Sequence, residues 1–199
     1  EHLNSRFNKE AEIRDGEFYI SLTTTNKKAD EINDEHLQEL QGKARNSSAE
    51  ISGNFGKEYF PTATELQFKI GAQIMMLNND SKKRWVNGSI GVIEAIKKDE
   101  DGEEYVNIRL HGNDRLVSAY KFMWEVYQFS FDGTEIISEP IGTFTQYPFR
   151  LAWAITIHKS QGKTFDKVII DIGKGTFVAG QMYVALSRCT SFEGIILKT

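Results

Sequence analysis

The chain has 199 residues, 40% hydrophobic and 26% charged, with a formal net charge of -4, enough to bury a sizeable core in one domain or in a domain carrying an inserted module. Three prolines, sixteen glycines and a single cysteine, Cys189, exclude collagen-like, low-complexity and disulfide-scaffold chains. The longest run without a charged side chain, Gly175 to Ser187, is thirteen residues, too short for a membrane-spanning helix. Residues Glu1 to Asp15 lack the apolar centre of a secretory signal, so a reducing, cytoplasmic setting is expected. The chain opens at Glu1 without a methionine, which points to a piece of a longer protein.

In chain order, Phe18 to Thr25 mixes aromatic and β-branched residues and predicts a strand. Thr25 or Asn26 then caps a helix whose Ala29, Ile32, His36, Leu37 and Leu40 share one face. Residues Gly42 to Tyr59 are small and polar and read as a loop. From Leu66 to Pro148 five short strands alternate with turn signals: QFKIGAQIMML, WVNGSIGVIEAI, EYVNIRL, RLVSAY and MWEVYQFSF, a pattern that suggests a small barrel. Its aromatics Phe122, Trp124, Tyr127, Phe129 and Phe131 fall partly on alternating positions and fit a wall of the barrel core better than a binding platform. Beyond Arg150 come LAWAITI, the polar stretch HKSQGKT, the apolar strand VIIDI, a helix with Phe177, Val178, Met182, Tyr183 and Leu186, and a last strand GIILK. Apolar strands alternating with helices predict an α/β fold whose mostly parallel sheet has helices on both faces. The two ends of the chain are expected to build that sheet around the inserted barrel.

Charge is uneven along the chain. From Pro140 to Thr199 seven basic residues face three acidic ones, a balance of +4, so the first 139 residues carry -8. The basic end is compatible with a polyanionic partner and equally with solubility. Gly162, Lys163 and Thr164 spell the end of a phosphate-binding P-loop, but Ile157 stands where its first glycine belongs, and the segment precedes a strand when it should follow one. Asp171 at the end of VIIDI then reads as an ordinary strand-end carboxylate. No complete nucleotide-hydrolysis site is expected from this chain by itself.

The segments LAWAITIHKSQGKTFDKVIIDI (151–172) and GQMYVALSRCTS (180–191) resemble the last two motifs of superfamily 1 helicases, in the form seen in the Pif family and its RecD-like relatives. GAQIMMLNND with WVNGSIGVI resembles the entry into that family's SH3-like insertion, and LTTTNKKADEIN resembles the opening of its second RecA-like domain. The resemblance implies a RecA-like α/β domain (1–66 and 149–199) interrupted by an SH3-like β-barrel (67–148). It implies a 5′ to 3′ ATP-dependent DNA helicase or translocase that uses ATP and Mg2+, with the P-loop and magnesium ligands on a first RecA-like domain not included here. Single-stranded DNA and duplex junctions are the implied substrates, the missing N-terminal domain the implied partner, and a monomer the implied state.

By the same resemblance Arg188 reaches the γ-phosphate as an arginine finger; the competing reading is a surface arginine satisfying helix-end carbonyls. Thr156, His158, Lys159, Ser160 and Gln161 would lie along the DNA backbone, where hydroxyl, imidazole, ammonium and amide donors suit phosphates of any sequence. Gly162, Lys163 and Thr164 would turn the chain towards the nucleotide, or Gly162 simply supplies a tight turn. Thr25 and Asn26 would touch DNA or the nucleotide edge through the amino end of their helix, or serve only to cap it. Lys82, Lys83, Arg84 and Trp85 combine cations with a ring able to hold a phosphate and stack a base, or form a solvated loop around a buried tryptophan. No cysteine or histidine cluster supports a zinc site. Two other readings remain: a non-enzymatic nucleic-acid-binding module, and an SH3-like module that docks a protein.

Overall fold

The computed structural model describes residues 3–8, 18–131, 133–173 and 180–198. The elements are β1 (Ile20–Thr23), α1 (Asn26–Glu39), β2 (Arg45–Ser48), β3 (Glu50–Gly53), β4 (Glu65–Phe68), β5 (Gln73–Met76), β6 (Ile90–Lys98), β7 (Glu104–Leu110), β8 (Leu116–Ala119), β9 (Phe122–Phe131), β10 (Ile136–Gln146), β11 (Phe149–Leu151), β12 (Ala154–Thr156), β13 (Val168–Asp171), α2 (Gln181–Leu186) and β14 (Ile195–Leu197). They fall into two compact units, Glu1–Gln41 with Leu151–Thr199, and Gly42–Arg150. Residues 42–66, grouped with the α/β part on sequence, therefore lie in the second unit.

The first unit holds a four-stranded parallel sheet in the order β12-β1-β13-β14. Strands from both ends of the chain thus pair directly, because only their union gives β1 a partner on each side. Ile20, Leu22, Ile155, Val168 and Ile170 are buried, each contributing about 1.5–3 kcal/mol of apolar transfer. Thr25 caps α1, its hydroxyl accepting from the Lys28 amide at 3.3 Å. Ala29 and Leu37 fill the expected apolar face, and Asn33 is buried with them. The late helix is short, Gln181–Leu186, and includes Met182, Tyr183 and Leu186; Phe177 and Val178 lie outside the described residues.

The second unit is antiparallel, with sheets β11-β5-β6-β7-β8, β3-β10-β9 and β2-β4. Among the described residues these sheets do not close into a barrel; where the sequence predicts a small SH3-like barrel, the strands form separate antiparallel sheets. The loop expected over 42–59 contains β2 and β3, whose polar residues pair with distant β4 and β10; tertiary pairing overrides weak local propensity. QFKIGAQIMML is two strands, β4 and β5, because Gly71 takes φ +89, a left-handed turn conformation that interrupts the ladder. The core is aromatic: Phe68 meets Tyr147 and Phe149 edge-on at 5.6 and 5.3 Å, a favoured ring geometry. The expected aromatic wall divides. Trp124 packs against Phe144 at 6.0 Å, whereas Phe122, Tyr127, Phe129 and Phe131 are exposed.

Candidate functional site

The parallel sheet organises the candidate residues. Ligands of open α/β sheets gather at the carboxyl ends of the strands, and the chain leaves those ends at Thr23, Thr156 and Asp171. The Thr24–Thr25 junction into α1 and the polar turn 157–163 therefore share one edge of the sheet, joined by the Ile157 amide donating to the Thr23 carbonyl at 2.9 Å. Asn26, the first helical residue, is exposed at that edge.

The polar stretch folds as successive tight turns. The Ser160 amide donates to the Thr156 carbonyl at 3.1 Å, Gln161 to His158 at 3.2 Å and Lys163 to Ser160 at 3.0 Å. Two of the hydroxyls proposed for phosphate contact face inward. Thr156 is buried, with its Oγ1 accepting from the Lys159 amide at 3.3 Å, and Ser160 is buried, donating to the Ile157 carbonyl at 2.7 Å. They shape the turn that presents His158, Lys159 and Gln161 to solvent. Gly162 takes φ +73 with open space where a Cβ would stand, so its requirement is conformational. Thr164 is exposed and Lys163 half-buried.

Arg188 follows the end of α2, and its guanidinium is held within its own unit. Nε donates to the Val184 carbonyl at 3.1 Å, Nη1 to the Lys163 carbonyl at 3.1 Å and Nη2 to Ser187 Oγ at 2.9 Å. Its backbone is equally tied. The Phe165 amide donates to the Arg188 carbonyl at 2.8 Å, the Thr190 amide to the Phe165 carbonyl at 2.9 Å, and the Cys189 thiol to the Asp166 carbonyl at 3.2 Å. Gly194 completes the seam: a Cβ there would stand 2.1 Å from the Asp166 carbonyl oxygen. Since Phe165 lies three residues before β13 opens, Arg188 is anchored near the starting end of β13 while His158 sits beyond the finishing end of β12. The eleven residues 157–167 connect the two ends, and Lys163 touches Arg188 along the way.

In the second unit Arg84 is not an open cation. Its Nη2 and Nε bind Asp80 Oδ1 and Oδ2 at 2.7 and 2.9 Å, and its guanidinium lies 4.6 Å over the Trp85 ring. Hydrogen bonds from Arg84 hold the Asp80 carboxyl down to about 2, against the upward push of burial. Trp85 is buried and donates to Asn78 at 3.0 Å, while Lys82 and Lys83 are exposed. Asn33 carried no sequence signal at all: its Nδ2 donates to the Ala154 carbonyl and its Oδ1 accepts the Ala154 amide, both at 2.9 Å.

Among the described residues no helix is long and apolar enough to cross a membrane. No family model matches the chain. The ATP-dependent DNA helicase Pif1 of Campylobacter jejuni is 34% identical over 183 residues, 87% of this chain and 40% of that protein. The human ATP-dependent DNA helicase PIF1 is 36% identical over 188 residues, 92% of this chain and 27% of that protein. The structure of unliganded Pif1 from Bacteroides sp. matches with a TM-score of 0.88 at 35% identity, covering 100% of this chain and 44% of that one. Bacteroides Pif1 in complex with ADP-AlF3 and ssDNA matches with a TM-score of 0.76 at 36% identity, over 100% and 44% of the two chains. The chain thus spans less than half the length of these relatives. Sequence identity sustained along nearly the whole chain, together with the shared fold, makes it similar to a part of the Pif1 DNA helicases.

Proposed function

We propose that the chain is the C-terminal part of an ATP-dependent 5′ to 3′ DNA helicase, to which it supplies an arginine finger and half of the track for single-stranded DNA. The observation that carries this reading is the tie between Arg188 and Lys163: the cation suited to a nucleotide and the polar turn suited to a DNA backbone share one seam of hydrogen bonds. The names of the relatives support it, as do Bacteroides Pif1 structures with ADP-AlF4 and with ssDNA. The reading extends to duplex junctions as substrate, to an N-terminal RecA-like domain across the nucleotide, and to a cytoplasmic monomer.

Phosphoryl transfer builds charge on the equatorial oxygens, and a guanidinium fork from the facing domain neutralises it, a contribution of about 10³ to 10⁵ in rate in other NTPases. To reach a phosphate Arg188 must leave the carbonyls of Val184 and Lys163. Its departure frees the outgoing end of the 157–163 turn, so nucleotide occupancy changes how firmly His158, Lys159 and Gln161 are held against DNA. Gly162, Lys163 and Thr164 act here as the connecting piece. Bound magnesium would add charge neutralisation at the phosphates. Among the described residues, however, no group of three or more His, Cys, Asp or Glu side chains is placed to hold a metal ion, and the P-loop is incomplete, so no step is assigned to a metal on this chain.

The test separates the two ends of the seam in the whole protein. Arg188→Ala is expected to lower ATP turnover by about 10³-fold or more and to leave single-strand affinity no longer responsive to bound nucleotide. His158→Ala with Lys159→Ala is expected to weaken single-strand binding alike for all sequences and to flatten its salt dependence. Unchanged turnover in the first variant, or a strongly sequence-dependent loss in the second, contradicts the assignment.

A further inference from the structure

We infer that the outer half of the β9–β10 ribbon is a docking surface for a protein partner whose contacting face carries an apolar stripe flanked by lysines or arginines. The ribbon pairs Phe131 with Ile136, Phe129 with Ser138 and Tyr127 with Pro140; β3 covers β10 only from Gly142 to Thr145. Beyond that point, among the described residues, no third strand pairs with it.

The apolar positions change phase along this arm. In its inner half the inward-facing pairs are Trp124 with Phe144 and Val126 with Gly142, and Phe144 is fully buried. Side chains alternate faces residue by residue, so Tyr127, Phe129 and Phe131 project from the opposite face to Trp124 and Val126. Directly paired residues share a face, which adds Ile136 and Pro140 to the same strip. Phe129, Phe131 and Ile136 are 70%, 68% and 73% exposed. On the reverse face at this height stand Gln128, Ser130, Ile137 and Glu139. The strip is therefore no continuation of the protein's own core: it is turned away from it, and a contiguous exposed apolar patch of this kind marks an interaction site.

Charge decides what covers it. Between Lys121 and Arg150 there is no lysine, arginine or histidine, and there are four acidic residues, Glu125, Asp132, Glu135 and Glu139. Glu125 closes the base of the strip, where its Oε2 accepts from the Tyr127 hydroxyl at 2.7 Å. A nucleic acid could stack bases on three aromatic rings, but a stretch (122–149) with four carboxylates and no cation repels its phosphates. A second copy placed ribbon to ribbon meets the same repulsion. An apolar stripe bordered by basic side chains satisfies both features, its aliphatic stems covering the rings and its charges meeting the carboxylates.

The test uses the intact chain and two amphipathic helical peptides with the same leucine stripe, one flanked by lysines and one by glutamates. The lysine peptide is expected to bind, more weakly as salt rises, and to lose about tenfold in affinity or more when Phe129→Ser and Phe131→Ser are combined. Glu125→Lys with Glu135→Lys, which leaves Phe129, Phe131 and Ile136 in place, is expected to reverse the preference towards the glutamate peptide. Indifference of the wild type to peptide charge overturns the proposal, as does binding untouched by both variants. An oligothymidylate affinity that falls with the phenylalanine variants, or a dimer in sedimentation that they dissociate, overturns it in favour of a base platform or a second copy.

Discussion

Asn33 occupies the place of a missing strand. In a parallel sheet the amide and carbonyl of one residue point to the same side, and those of Ala154 point outward from β12, the edge strand. The Asn33 side-chain amide meets both at 2.9 Å, presenting one donor and one acceptor as a neighbouring backbone would. Its own burial is tolerated because both its polar atoms are paired. The same helix stacks His36 on Trp153 at 5.4 Å, closing α1 over the edge. Asn33→Ala leaves a buried amide and carbonyl without partners, a penalty of about 1–3 kcal/mol per group. The variant is expected to unfold at lower denaturant with an unchanged slope. A midpoint equal to that of the parent means that Ala154 finds water instead. Arg188, near the starting end of β13, likewise satisfies backbone carbonyls with its side chain, those of Val184 and Lys163.

The Asn78–Ser89 connection between β5 and β6 is stiffened by one ion pair, Asp80 with Arg84, whose carboxylate side chain is only 6% exposed. The folded-state value of Asp80, about 2, lies below its ordinary 3.8. The pair's contribution is therefore complete above about pH 4 and fades as pH falls towards 2, amounting to at most about 2 kcal/mol. Parent and Asp80→Asn proteins are expected to differ in stability at neutral pH and to converge in acid; acid-unfolding curves that stay parallel to pH 2 contradict this. The pair also marks the limit of what sequence reveals about elements. β1, α1 with its Thr25 cap, β7 and β13 were readable because their signals are local: capping oxygens, period 3.6, uninterrupted apolar runs. β2 and β3 were not, since Arg45 to Gly53 becomes strand only through partners at Glu65–Phe68 and Gly142–Thr145. Likewise HKSQGKT announced a polar turn, but nothing in it told Ser160, which folds inward, from His158 and Lys159, which face out. The aromatic alternation of β9 was visible, but which of its two phases faces the core depends on the pairing of Trp124 with the buried Phe144.

At the scale of the whole chain, charge and chemistry are divided in the same way. The last sixty residues carry +4 and hold both Arg188 and the 157–163 turn, while the remainder carries -8. Hydrolysis of a nucleoside triphosphate needs groups on two sides of the γ-phosphate, a cradle that fixes the phosphates and a cation that neutralises the transition state. On the proposed reading this chain offers the cation. It does not offer the cradle, because Ile157 replaces the glycine that opens a P-loop and the Gly162–Thr164 segment leads into a strand instead of a helix. ATP turnover by the isolated chain is therefore expected at background, and Arg188→Ala in that setting should change nothing, whereas in the whole protein the same substitution should collapse the rate. The contrast isolates the role of Arg188 from its role in folding. If its bonds to Val184, Lys163 and Ser187 were merely structural, the substitution would lower the melting temperature of the isolated chain in proportion to the activity lost from the whole. Turnover above background from the chain alone contradicts the division outright, because it requires a phosphate cradle that these residues do not form.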